Sequence, residues 1–535
     1  MPAPILIIMA IIVFAAGYVW YGRFLNRTFD IRAERKTPAH VNADGVDYVP
    51  ARAPVLMGHH FSSIAGAGPI VGPIYAAVFG WIPVFLWILI GSIFLGGVHD
   101  YSSLVASIRH SGKSIGEVIE AYIGRAGKKV FLIFAWFALI LVIAVFCNLV
   151  STTFEDEAAT PTASGLFIIL AILFGLAVYR FKVPLGIATL FGVILLFACV
   201  ALGILYPIHL DSGVWIYILL AYIFIAAVSP VWVLLQPRDF LNSFLLYAIL
   251  AGGVISIFAA WPKMTLAPVT HFHTDHGPLF PLLFVTVACG AISGFHSLVA
   301  SGTSSKQLNR ETDARPVGYG SMLIEGLLAV IALITAITVI HQNSSGYYQA
   351  VKNLTPIVIF SNGIGQFINV IGIPKQMGTT FASLAISAFC LTTLDTATRL
   401  ARFIFQEFFK QKNKESILSN RYVGTFITVV FSALLAFSGS GEKIWKIFGS
   451  ANQLLAAIAL LAVTVWVAEL GKKFLFIAIP MIIMFFITLS ALGWLIYQCV
   501  YDGSTTLSIF SILLFIVTLV LIIQAFIHFR RMKAS

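Results

Sequence analysis

The stretch HHFSSIAGAGPIVGP, residues 59–73, opens a long apolar tract and carries two histidines, two serines, three glycines and two prolines. A plain membrane helix needs none of these residues, and Pro69 and Pro73 lack the N–H groups that a continuous helix uses. Broken helices occur in hydrocarbon only where they line a cavity or are buried in protein. The stretch therefore predicts a functional break near Gly66 and Gly68, with a kinked helix and close glycine packing as the alternative.

The composition places the rest of the chain in a membrane. Of its 535 residues 59% are apolar and only 10% are charged, whereas soluble domains carry about a quarter charged residues. Apolar runs of about 20 residues, the length that spans a bilayer, recur throughout. They predict an all-α polytopic protein with about fifteen transmembrane helices, near residues 3–22, 61–80, 82–108, 130–152, 162–180, 184–206, 213–234, 243–261, 278–300, 318–341, 377–405, 420–437, 443–468, 474–498 and 505–529.

The distribution of basic residues orients these helices through the positive-inside rule. With the N-terminus outside, all but five of the 33 Lys and Arg residues fall in cytoplasmic segments. The net charge of +11 is thus explained by topology and does not indicate nucleic-acid binding. We expect a multi-pass protein in the cytoplasmic (inner) membrane of a prokaryote, with a cytoplasmic C-terminus. The external stretch 342–376 is long, and its part 354–373 predicts a helix that covers the outer face.

The usual enzyme and metal signatures are absent from the sequence. It has no Walker A sequence, GxSxG elbow or HExxH pair. Its five cysteines are scattered singly, which is typical of packing residues. The run HFHTDH, residues 271–276, has no further ligands at zinc spacing and is interpreted as a solvated loop. No catalytic residue, metal site or cofactor is predicted.

A second interrupted segment, AAVSPVWVLLQPRDF, occupies residues 226–240. It lies five predicted spans after the first, and an odd offset makes the two segments antiparallel. Broken helices at matching positions of inverted repeats indicate the binding site of a secondary transporter. The prediction is an inverted five-plus-five repeat with broken helices at its first and sixth positions. Its domains are an N-terminal helix and cytoplasmic loop, the two repeats and four additional helices, over residues 1–58, 59–206, 213–405 and 406–535 respectively.

Polar residues in the two interrupted segments are the candidate substrate-binding residues. Backbone amides and hydroxyls there are suitable donors for an anionic group at a half-helix N-terminus. The predicted substrate-binding residues are Ser62, Ser63, Gly66, Gly68, Ser229 and Gln236.

The acids well inside the predicted spans are Asp100, Glu325 and Asp395, and a charge at the bilayer centre costs at least about 2.5 kcal/mol. Structural pairing is the alternative for them, with Arg399 for Asp395 and with a neighbouring helix for Asp100. Glu325 lies nearest its helix start, where the dipole favours a carboxylate. The predicted ion- or proton-coupling residues are Asp100, His296, Ser301, Thr303 and Asp395.

Two of these assignments leave alternatives open. The hydroxyls of Ser301 and Thr303 can instead bond back to their own helix. The amides Asn452 and Gln453 begin the thirteenth predicted span, where they indicate polar packing between helices rather than substrate contact.

Several longer motifs resemble the carbon starvation protein A family. They are, in chain order, HHFSSIAGAGPIVGP, GGVHDYSSL, VSPVWVLLQPRDFL, AISGFHSLVASGTSSKQL, RPVGYGSMLIEGLLA, LTTLDTATRLARF and FGSANQLLAAIAL. The resemblance implies the inverted fold of the amino acid–polyamine–cation transporters, with proton-coupled uptake of pyruvate in some members and of peptides in others. It also implies sodium at Ser301 and Thr303 as an alternative coupling site.

The sequence as a whole predicts a secondary transporter, a proton symporter that imports small carboxylates such as pyruvate. Peptide uptake and Na⁺ coupling are the alternatives. The partners expected are the carboxylate or peptide substrate and the lipid bilayer, and assembly as a homo-oligomer is left open.

The predicted topology is testable with reporter fusions placed after residues 115 and 157. We expect the first reporter to be cytoplasmic and the second to be external, because an intervening helix separates them. Activity of both reporters on the same side of the membrane would contradict the topology.

Overall fold

The computed structural model describes residues 1–44, 48–229, 235–274, 277–340, 344–409, 417–438 and 441–534. The side chain of Gln236 and residues 275–276 of the histidine-rich loop lie outside the described part. The helices are α1 (Pro4–Thr28), α2 (Pro38–Val41), α3 (Ala53–Ile64), α4 (Gly68–Ala76), α5 (Trp81–Arg109), α6 (Ile115–Ile123), α7 (Arg125–Asp156), α8 (Ala159–Gly175), α9 (Leu185–Leu205), α10 (Ser212–Val228), α11 (Leu235–Ala260), α12 (Leu279–Thr286), α13 (Phe295–Val299), α14 (Ser321–Val339), α15 (Ser344–Asn353), α16 (Pro356–Asn369), α17 (Lys375–Phe409), α18 (Arg421–Ala436), α19 (Gly441–Glu469), α20 (Leu475–Tyr501) and α21 (Thr505–Ala534). A two-stranded antiparallel hairpin, β1 (His273–Thr274) and β2 (Gly277–Pro278), precedes α12.

The helices confirm an all-α membrane protein but not the count of fifteen spans. Within the described residues, eleven helices are long and apolar enough to cross a membrane, and the bent pair α3–α4 raises the number to twelve. The apolar helices α10 and α18 are shorter than a full span. The predicted span 278–300 is not one continuous helix, because α12 ends at Thr286 and α13 begins at Phe295.

The centre of the protein is formed by α7, α14, α17 and α19. Helix α17 packs along α7, and α19 packs against both α7 and the α12–α13 segment. In the most apolar window of α19, 94% of the residues are buried within the protein, against 33% in α9. The pair α8–α9 therefore lies at the periphery, where its exposed apolar side chains face lipid.

The first break follows from local sequence. Helix α3 ends at Ile64, α4 begins at Gly68, and the two axes differ by 47°. Pro69 has no N–H to donate to the carbonyl of Ala65, so α3 cannot continue through this point. The predicted unwinding is confirmed at Gly66, whereas Gly68 is the first residue of α4.

Helices α15 and α16 cover the second half of the first broken helix. The predicted helix in 354–373 is present as α16, which packs closely against α14 and α17. The hydroxyl of Tyr347, on α15, donates to the carbonyl of Ile74 at 2.7 Å, and this tyrosine is fully buried. Helix α15 is thereby joined to α4.

The segment between α1 and α3 is held against the loop that follows α13. The Thr37 hydroxyl donates to the Leu308 carbonyl at 2.5 Å, and the Ala51 N–H donates to the Gln307 carbonyl at 2.9 Å. The buried carboxylate of Glu311 accepts from Arg35 at 3.0 Å. The same carboxylate accepts from Arg109, at the end of α5, at 2.6 Å. We call the described residues 30–44 and 48–52, with their contacts on 307–311, the N-terminal clamp.

Candidate functional site

The two breaks 65–67 and 287–294 lie against each other. Helix α3 packs on α13, and α4 packs on α12, so the two broken helices run antiparallel. They approach closely at Gly68, where an added Cβ would stand 2.5 Å from the sulfur of Cys289, and at Gly72, where it would stand 2.5 Å from the Thr286 carbonyl oxygen. The absence of a side chain at Gly68 is thus a requirement of this contact.

A small pocket opens at the junction of the breaks. Its described lining contains no Lys, Arg, Asp, Glu or His, and its polar side chains are hydroxyls, a thiol and an amide. The lining residues are Ile64, Gly66, Gly68, Val142, Phe146, Cys289, Ser293, Phe295, Thr393, Phe448 and Asn452.

One backbone amide at the start of α4 borders the pocket. Among the described residues, the N–H of Gly68, which lines the pocket, makes no backbone hydrogen bond, whereas those of Ala65 and Gly66 bond to carbonyls of α3. The N–H of Ala67 faces the Cys390 thiol instead, outside the lining. The N-terminus of a helix carries about half a positive charge. The pocket therefore offers positive potential and an amide donor without a basic side chain.

The predicted substrate-binding residues are only partly brought together. Gly66 and Gly68 line the pocket. Ser62 donates to the carbonyl of Asp239 at 3.2 Å, and Ser63 donates to the His59 carbonyl of its own helix at 2.8 Å.

Ser229 lies apart from the other predicted substrate-binding residues. Its hydroxyl bonds back to Ile225 at 2.7 Å at the C-terminal end of α10. The carbonyls of Ala226 and Ser229 accept from Arg399. The described end of this interruption is thus a helix C-terminus occupied by arginine, not a free N-terminus.

A buried polar cluster adjoins the pocket on the α3–α13 side. His296, one residue into α13 from the pocket residue Phe295, places its Nδ1 2.8 Å from the Asp100 carboxylate on α5. Its Nε2 is 3.4 Å from the Glu325 carboxylate on α14, and His99 contacts the other Asp100 oxygen at 2.7 Å. All four side chains are fully buried. One imidazole thus lies between two carboxylates at the start of the second half-helix.

Asp395 belongs to a different cluster. Its carboxylate accepts from Arg238 of α11 at 2.5 Å and from the Tyr222 hydroxyl of α10 at 2.8 Å. The expected pair with Arg399 is not formed, since Arg399 donates to the end of α10 instead. Arg238 and Asp395 are both fully buried, which makes them an ion pair between helices.

The hydroxyls of Ser301 and Thr303 are bonded to their own helical segment. Ser301 donates to the Ser297 carbonyl at 2.6 Å, and Thr303 donates to the Val299 carbonyl at 2.9 Å. Ser301 also accepts from the Ile115 N–H at 3.2 Å. This is the back-bonded alternative that the sequence left open.

Sequence reasoning missed several residues at the site. Cys289 and Ser293 lie in the second break, which has no proline of its own to mark it. His60 was not selected, although its Nδ1 is 2.7 Å from the Ser304 hydroxyl and joins α3 to the segment after α13. The paired small residues Gly290 and Ser293–Gly294 were the available signal for the second break.

Two broken helices that face each other across a buried pocket define the chain as a multi-pass membrane transporter rather than an enzyme. Comparison with known proteins supports this class and refines it. Residues 2–352 and 341–491 match the family described as "Carbon starvation protein CstA", and the chain belongs to that family.

Individual relatives agree with this assignment. The chain is similar to the "Peptide transporter CstA" of Bacillus subtilis, with 31% identity over 98% of this chain and 96% of that protein. It is 29% identical to the "Pyruvate/proton symporter BtsT" of Escherichia coli, over 91% and 81% of the two chains. Among solved structures, a manganese transporter of Eremococcus coleocola covers 91% of this chain and 99% of its own, with TM-score 0.56 and 13% identity. The last likeness shows a shared fold alone.

The contact at Gly68 predicts a loss of transport without a loss of membrane insertion. In Gly68→Val, the new side chain would meet Cys289 and force the two breaks apart, so we expect little uptake of either pyruvate or a dipeptide. Gly68→Ala combined with Cys289→Gly should recover transport relative to Gly68→Ala, because the opposing side chain is gone.

The matched control is Gly252→Ala, where the added methyl meets open space. Uptake and detergent-extracted protein are measured together for each variant. Near-normal uptake by Gly68→Val would contradict the prediction and favour the alternative, in which this glycine serves only helix packing.

Proposed function

We propose that this chain is a proton symporter that imports a small carboxylate such as pyruvate, with its N-terminus outside and its C-terminus in the cytoplasm. The observation that carries the proposal is a charge-free pocket at two facing breaks, next to the buried Asp100–His296–Glu325 cluster.

The inverted repeat is proposed in a revised position. The pairing of the broken helices 53–79 and 279–307 is favoured over a pairing with 226–240, because these two breaks meet at Gly68 and Cys289. Each is followed by a long helix, then one or two short helices outside the spans, and then a central helix. These are α5, α6 and α7 in one half, and α14, α15, α16 and α17 in the other. The central helices α7 and α17 pack on each other, as an inverted pair would.

The chemistry of the pocket favours a small anion. A carboxylate fits the Gly68 amide at the start of α4, and the hydroxyls of Ser293 and Thr393 and the amide of Asn452 supply further polar contacts. The apolar remainder of the lining suits a short carbon chain.

Peptide uptake is the second candidate function, and the name of the Bacillus subtilis relative favours it. A peptide would dock its C-terminal carboxylate at the same backbone amide. Its α-ammonium group would then require an acceptor, and the described lining contains no carboxylate to provide one. This argues for the small carboxylate.

Proton coupling is favoured by the place of His296 in the fold. The imidazole joins α13, the half-helix that borders the pocket, to Asp100 on α5 and Glu325 on α14. Adding or removing a proton in this cluster changes the electrostatic attraction among three helices, and alternating access requires such helices to move relative to one another. Na⁺ at Ser301 and Thr303 remains the alternative coupling mode.

The energetics also favour one proton for each substrate. Moving a monoanion inward against a negative-inside potential costs about 2.3 kcal/mol per 100 mV, and a cotransported proton cancels that charge. The cycle is then electroneutral, and the pH gradient is its driving force.

Reconstituted vesicles test the function directly. An inward proton gradient should drive pyruvate above its equilibrium level, with little response to an imposed potential if the stoichiometry is one to one. Imposed Na⁺ gradients and a labelled dipeptide are measured in parallel. Uptake that follows Na⁺ would transfer the coupling role to Ser301 and Thr303, and dipeptide uptake without pyruvate uptake would establish the peptide alternative.

The coupling cluster is tested with Asp100→Asn and His296→Gln. Each variant should reduce uptake driven by the pH gradient more than it reduces exchange of external for internal substrate, because exchange needs no net proton movement. The surface variant Asp211→Asn serves as the control and should leave both activities unchanged. Equal loss of the two activities, together with lower thermal stability, would mean that the cluster only holds the helices together.

A further inference from the structure

The second break leaves peptide groups without their helical partners. Helix α12 ends at Thr286 and α13 begins at Phe295. In a continuous helix, the N–H groups of Gly294 and Phe295 would donate to carbonyls four residues earlier. In hydrocarbon, each such group costs several kcal/mol when it has no partner.

Helix α19 supplies the missing partners. The N–H of Gly294 donates to the backbone carbonyl of Asn452 at 3.0 Å, and the N–H of Phe295 donates to the Asn452 Oδ1 at 2.9 Å. On the other side of the break, the Gln453 amide donates to the Phe284 carbonyl at 2.8 Å. A helix that is adjacent in space thus replaces bonds that the broken helix cannot make.

The same amide of Asn452 also faces the pocket. Because the Phe295 N–H can only donate, the Asn452 atom that faces it must be the acceptor Oδ1. The donor Nδ2 of Asn452 therefore faces the pocket wall. Nδ2 donates to the Ser293 hydroxyl at 3.0 Å and to the Cys289 sulfur at 3.4 Å. One buried side chain therefore bonds three residues of the second break.

Close backbone contact keeps this arrangement in register. Gly294 lies directly against Asn452 and Leu455, and an added Cβ would overlap with both of them. Gly449, one turn earlier in α19, lies in the same way against the carbonyl of Val285. The contact extends along both sides of the break.

We propose that Asn452 is a positioning residue for the substrate site: its amide holds the second break open and fixes Cys289, Ser293 and the start of α13. The inference deepens the proposed function and rests on it for the identity of the substrate. An acceptor and a donor in one short side chain are both required. Leucine provides neither, and aspartate provides only the acceptor.

The decisive variant is Asn452→Leu, examined by amide hydrogen exchange in detergent without substrate. We expect exchange in peptides that cover 287–299 to accelerate about tenfold, because the buried N–H of Phe295 loses its acceptor. Peptides of α7 should be unchanged. In vesicles, the pyruvate concentration for half-maximal uptake should rise about tenfold, with a smaller change in the maximal rate.

The matched control is Asn148→Leu, which removes an interhelical bond to the Ala436 carbonyl from a residue outside the pocket lining. It should leave exchange in 287–299 and half-saturation unchanged. If Asn452→Leu does not fold, Asn452→Asp replaces it: Phe295 stays protected through Oδ1, while half-saturation still rises through the lost donor.

Two outcomes would overturn the proposal. One is unchanged exchange in 287–299 and unchanged half-saturation in a folded Asn452→Leu. The other is a uniform acceleration over all helices, which would show a general packing role. Because exchange is measured without substrate, a chain that fails to transport pyruvate would refute the proposed function and leave this test intact.

Discussion

The structure depends on a single constraint: peptide groups released from a helix inside hydrocarbon must find other partners. The two breaks release such groups at the centre of the protein. At the first break the amide of Gly68 borders the pocket, and at the second the amides of Gly294 and Phe295 bond to Asn452 of α19. The difference gives the site its polarity. One break leaves an amide donor beside the pocket, and the other is held in place by α19.

The difference also explains how much the sequence reveals. The first break is predictable because Pro69 lacks the N–H that would continue α3. The all-α membrane fold and the helix over 356–369 are predictable from the apolar runs of the sequence. The second break contains no proline and depends on Asn452, which lies about 160 positions further along the chain. The small residues Gly290, Ser293 and Gly294 are the local signal for this break, but they do not identify its partner. The prolines of the 226–240 segment drew attention to a different interruption, after α10. Its described end is a helix C-terminus, where Arg399 donates to the Ser229 carbonyl.

Buried charges show the same division between what is local and what is not. The rarity of acids in apolar spans is enough to single out Asp100 and Asp395. Their partners come from other helices, and His296 and Arg238 lie about 200 and 160 positions away from them. The i,i+4 rule proposed Arg399 for Asp395, whereas tertiary packing brings Arg238 closer. The rarity of acids in apolar spans thus identifies the buried carboxylates, whereas their partners are identified only by the fold.

The N-terminal clamp has a consequence for biosynthesis. Arg35 and Glu311 are separated by 276 residues. At a synthesis rate of about 5 to 20 residues per second, Glu311 is therefore added roughly 15 to 55 s after Arg35. During that interval helices α3 to α13 are synthesised. The contacts of the N-terminal clamp with Glu311 therefore form only after α13 has been made.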